Sequence, residues 1–145
     1  MTKARAPPGL NQQERDELLE KKEKYTILLD NAATHSIVKY KEMLNPGSFR
    51  ENHGYVTGST GNQTATIEGE GELTLMGRNI GVFVSSTMNC NVISQGALCR
   101  TYSFKVVQDG DTITIVDKLS PQHRNVATWK FRGDNMAPIP DVLLR

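Results

Sequence analysis

A chain of 145 residues, 37% apolar and 23% charged, is enough for one compact domain but not for two. A formal charge of +1 gives no field to draw in nucleic acid or an acidic membrane, and no apolar run approaches the roughly 20 residues of a membrane span. Two cysteines (Cys90, Cys99) and three scattered histidines (His35, His53, His123) have no metal-ligand spacing, so neither a metal nor any other cofactor is expected.

Residues 1–24 read as a polar leader. Pro7-Pro8-Gly9 mark a loose start, and the absence of an apolar signal-peptide core leaves a cytoplasmic setting as the expectation. Asn11 is suited to cap the mixed-charge run that ends at Lys24, which predicts a solvated helix. At Tyr25 the composition changes. Tyr25-Thr26-Ile27-Leu28-Leu29 is a β-favouring run ending at Asp30, and it predicts a strand buried on both faces. Asn45-Pro46-Gly47-Ser48 signals a turn. Tyr55-Val56-Thr57 and Gln63-Thr64-Ala65-Thr66-Ile67 predict a hairpin with a tip at Gly58, Ser59, Thr60, Gly61 and Asn62.

Gly69-Glu70-Gly71 and Gly77-Arg78-Asn79 read as further hairpin turns, around strands at Leu73-Thr74-Leu75 and Val82-Phe83-Val84. Asn91–Leu98 predicts one short helix. The run from Tyr102 to Val107 pairs with Thr112–Val116 across Gln108-Asp109-Gly110-Asp111. Beyond Leu119 the pattern loosens, and Trp129 and Phe131 are expected to dock on the core from an extended segment. The sum is an all-β fold, a closed or partly open barrel. Its compact unit covers residues 25–117, with a C-terminal extension over 118–145.

Asp30 carries the most chemistry. A carboxylate ending a buried apolar strand is costly unless it is paired, hydrogen-bonded or protonated, and the small residues after it let a substrate approach. The plainer reading is an aspartate that closes a turn with its own side chain.

Ile27-Leu28-Leu29-Asp30-Asn31-Ala32-Ala33-Thr34 resembles the active-site segment of retropepsins, the aspartic proteases of retroviruses and retrotransposons, where apolar residues precede Asp-Ser/Thr-Gly-Ala. Sixty-one residues after Asp30, Asn91-Val92-Ile93-Ser94-Gln95-Gly96-Ala97-Leu98 is similar to the second signature of the copia-type long-terminal-repeat elements. That segment leads into a short helix packed behind the active-site loop. The Thr57–Asn62 hairpin falls where the family carries its substrate-covering flap. The resemblance implies a single-lobe barrel and an aspartic endopeptidase that processes a Gag-Pol polyprotein. It also implies a location within virus-like particles. The chain offers one candidate aspartate where the mechanism needs two, so the resemblance further implies a homodimer with Asp30 from each subunit. Asn31 stands where Ser or Thr is usual, and Ala32 where Gly is usual.

Two other readings compete. One is a dimerisation or binding module on the same fold that has lost catalysis. The other is an unrelated small β-barrel binding module with Asp30 as a turn residue. A Cys–His or Ser–His hydrolase built from His35, His53, Ser36 and Cys99 lacks any nucleophile signature.

Overall fold

The structure, a computed structural model, describes residue 9 and residues 11–57, 64–131 and 136–145. Helix α1 (Gln12–Lys24) is capped as expected, with Asn11 Oδ1 accepting the Glu14 amide at 2.8 Å. It is exposed along the faces described. Its last residue, Lys24, places Nζ over the rings of Tyr40 (4.5 Å) and Tyr25 (5.2 Å), which ties the helix end to the body. No helix among the described residues is long and apolar enough to cross a membrane.

Strands β1 (Ile27–Asp30), β2 (Ile37–Val38), β3 (Arg50–Thr57), β4 (Thr64–Leu75), β5 (Arg78–Val84) and β6 (Asn91–Ser94) follow. After them come helix α2 (Gln95–Thr101), strands β7 (Phe104–Asp109), β8 (Thr112–Asp117) and β9 (Val126–Lys130), and finally β10 (Met136–Pro138). Seven strands make one sheet in the order β10-β1-β6-β2-β5-β4-β3, and β7-β8-β9 make a second. The chain is therefore mostly β. Of the closed or partly open barrel expected, closure is not seen among the described residues: pairing stops at β10 on one edge of the large sheet and at β3 on the other.

The main core lies between one face of the large sheet and the second sheet. Ile27 and Leu29 of β1, Ile93 of β6, Val38 of β2 and Val82 and Val84 of β5 meet Phe104, Ile113 and Ile115 there. At the seam Arg78 Nη1 pairs with the buried Asp117 at 3.2 Å and also donates to the Tyr102 carbonyl, with its guanidinium over the Phe104 ring. Residues after Asp117 belong to this same core. Phe131, Ala137 and Ile139 are buried in it, and β10 pairs antiparallel with β1.

Three sequence expectations change in detail. The helix predicted over Asn91–Leu98 is a strand up to Ser94 and helix only from Gln95, because Ser94 acts as N-cap and accepts the Ala97 amide at 3.0 Å. Gly69 and Gly71 do not form a turn but lie on the inner face of β4. A Cβ at Gly71 would stand 2.5 Å from Leu44 Cδ1, and one at Gly69 would stand 2.7 Å from the Arg50 carbonyl, so both glycines admit a close crossing of chain. The turn is at Met76-Gly77, both at positive φ (51° and 79°), as a two-residue hairpin loop requires.

Candidate active site

The site is built on a row of paired residues across the large sheet. Register aligns Leu28 (β1) with Val92 (β6), Val92 with Ile37 (β2), Ile37 with Phe83 (β5), Phe83 with Glu70 (β4) and Glu70 with Arg50 (β3). Paired residues share a sheet face, and Asp30, two residues beyond Leu28, is on that face too. This is the face opposite the main core. Ile37 and Val92 lie on it and form a second apolar cluster with Ala65 and Ile67, whose places in β4 put them on the opposite side of that strand from Glu70; Leu28, Val56, Phe83, Met88 and Cys90 join the cluster. Asp30 therefore stands at the edge of an apolar patch to which the far half of the β3–β4 hairpin also contributes.

Asp30 is half-buried at the C-terminal end of β1, between Ser94 and Met136 in register. Its Oδ1 accepts the Ala32 amide at 2.8 Å, which bends the chain away from the strand and fixes the carboxylate. No hydrogen bond or ion pair engages Oδ2 among the described residues. Asn31 and Ala32 are exposed, while Ala33 is half-buried. The loop is anchored from behind by Ser94, which is fully buried: its Oγ donates to the Ala33 carbonyl at 2.7 Å, and its amide donates to Ser36 Oγ at 2.9 Å. Thr34 Oγ1 lies 2.9 Å from His35 Nδ1, and the His35 ring is 5.8 Å from that of Phe83.

The segment from Asn91 to Leu98 braces the strands around this loop. Asn91, buried, donates from Nδ2 to the carbonyls of Lys24 (3.1 Å) and Thr26 (3.0 Å) and accepts the Lys39 amide at 2.7 Å. One side chain thus fixes the start of β1 to the end of β2. Val92 belongs to the apolar patch and Ile93 to the main core, while Leu98 buries α2 against that core. Thr57 ends β3, exposed and in register with Thr64. Gly58, Ser59, Thr60, Gly61 and Asn62 lie outside the described residues.

Cys90 borders the site and was not singled out for it by sequence. Burial pushes its thiol up, the Asp30 carboxylate pushes it further in the same direction, and Lys39 acts oppositely. Both cysteines are free; Cys90 is half-buried and Cys99 exposed. Ser36 was also missed as a support for the loop. Its partner is 58 residues away in sequence, so no local spacing marks it.

The arrangement presents one half-buried carboxylate, fixed through Oδ1 and standing beside a buried apolar cluster. No protein-family model matches the chain, and no curated protein matches it.

Proposed function

We propose that the protein is a retropepsin-like aspartic endopeptidase that works as a homodimer on an extended polypeptide. The single observation that carries this reading is the setting of Asp30. It combines a carboxylate locked through Oδ1 by the Ala32 amide, an Oδ2 that no described residue engages, and an apolar cluster beside it. Aspartic proteolysis activates one water between two carboxylates that share a proton, one acting as base and the other as acid. One chain supplies one such group, so a second copy supplies the other. Water attacks the peptide carbonyl as its proton passes to one Asp30, and the protonated partner then delivers a proton to the departing nitrogen. The β3–β4 hairpin covers the bound strand and limits water.

The departures at Asn31 and Ala32 favour a second reading, a dimerisation module that binds peptide without cleaving it. Asp30→Asn separates the two. For a protease it lowers cleavage of a casein or peptide-library substrate by about a thousandfold or more with folding unchanged by circular dichroism. A pepstatin-type inhibitor raises the Tm of the wild type as a bound ligand must. Wild-type protein without cleavage, or cleavage that survives Asp30→Asn, refutes the protease.

A further inference from the structure

The cross-strand row that begins beside Asp30 does not end in the apolar patch. Past Phe83 it reaches Glu70 and Arg50, and there the surface opens into a cavity of about 530 Å3. Strands β4 and β5 form one wall and α2 the other, while Thr34, His35 and Ser36 bring the loop after Asp30 to its side. The Gly81 amide donates to the Tyr102 hydroxyl at 2.6 Å across the floor. Arg50 and Glu70 neutralise each other at 3.1 Å. Arg100, on the α2 wall, forms no ion pair or hydrogen bond among the described residues. Its guanidinium lies over Gly96, where a Cβ would come within 2.7 Å of Nη1, so a glycine leaves room for it.

We propose that this cavity is a distal subsite for the substrate peptide, in which Arg100 binds one of its carboxylate side chains. The proposal rests on the protease reading and narrows its substrate class. A guanidinium presents a planar fork of donors that matches a carboxylate. Three to four strand steps separate β1 from the cavity, about 14–19 Å at the ordinary strand spacing, and an extended chain covers that in about four to six residues. The substrate therefore carries Asp or Glu about four to six positions from the scissile bond, at the reach that strand spacing sets. Glu72, paired in register with Gly81 on the other wall, offers the opposite charge, so a lysine preference is the competing outcome.

The test is the cleavage profile of a synthetic peptide library by the wild type, Arg100→Ala and Arg100→Glu, read by mass spectrometry. Asp and Glu are enriched at the distal positions for the wild type, and kcat/KM for a Glu peptide exceeds that of its Gln counterpart by about tenfold. Arg100→Ala removes that difference through KM with kcat unchanged, and Arg100→Glu moves the preference to Lys. Equal cleavage of Glu and Gln peptides, a Glu72-dependent lysine preference, or an equal loss for both peptides in Arg100→Ala overturns the subsite and leaves the protease reading standing. Fluorescence anisotropy of the same peptides on Asp30→Asn protein decides the subsite independently of turnover. Arg100-dependent Glu-over-Gln binding supports it even if the wild type cleaves nothing, and its absence overturns it.

Discussion

Asn91 and Cys90 are adjacent in sequence and show how single residues define the site. Asn91 uses its amide donors and its acceptor on three backbone groups, those of Lys24 at the end of α1, Thr26 just before β1 and Lys39 just after β2. Replacing it with Ala strands those groups in a buried setting, so Asn91→Ala is expected to cost about 3 kcal/mol by urea denaturation, the scale of an unsatisfied buried network. An unchanged midpoint would remove Asn91 from the supports of the site. Cys90 reports on Asp30 without turnover. Its raised thiol keeps less thiolate than exposed Cys99 at a given pH, so iodoacetamide labels Cys90 only at higher pH. Asp30→Asn removes a negative neighbour, lowers the thiol and speeds Cys90 labelling at fixed pH. An unaltered rate would show that the carboxylate does not face the thiol. The Asn91 motif was visible in the sequence, but the Ser36–Ser94 bond was not, since hydrogen bonds between distant segments leave no local pattern.

Legibility varies from element to element for physical reasons. Helix α1 was visible through its cap and charge pattern, and the β7–β8 hairpin through its β-branched runs around Gly110. Strand β2 is two residues long and β10 three with a proline, so neither carries a period of its own. Pairing with β5 and β6 makes the first a strand, and pairing with β1 makes the second. The Gly69–Gly71 segment was misread because a glycine needed for a turn and a glycine needed for close packing look alike in sequence. Their role is open to test. Gly71→Val is expected to destabilise by about 2–3 kcal/mol through overpacking against Leu44, and Leu44→Ala in the same chain recovers part of the loss. Equal stability of Gly71→Val and wild type would contradict the crossing.

For the whole molecule, the sequence marked the β-rich class and the position of Asp30 but not the extent of the core. The loosened composition after Asp117 concealed β9 and β10, yet Ala137 and Ile139 are buried beside β1, on the strand that carries Asp30. On the proposed reading, with one Asp30 per chain, one chain is half of a working site. The most direct test is to refold wild-type and Asp30→Asn chains together at varied ratios and measure peptide cleavage. If each site needs Asp30 from both subunits, activity falls as the square of the wild-type fraction, to about a quarter in an equal mixture. A linear fall, to about half, would mean that each chain carries a complete site and would contradict the two-carboxylate dimer.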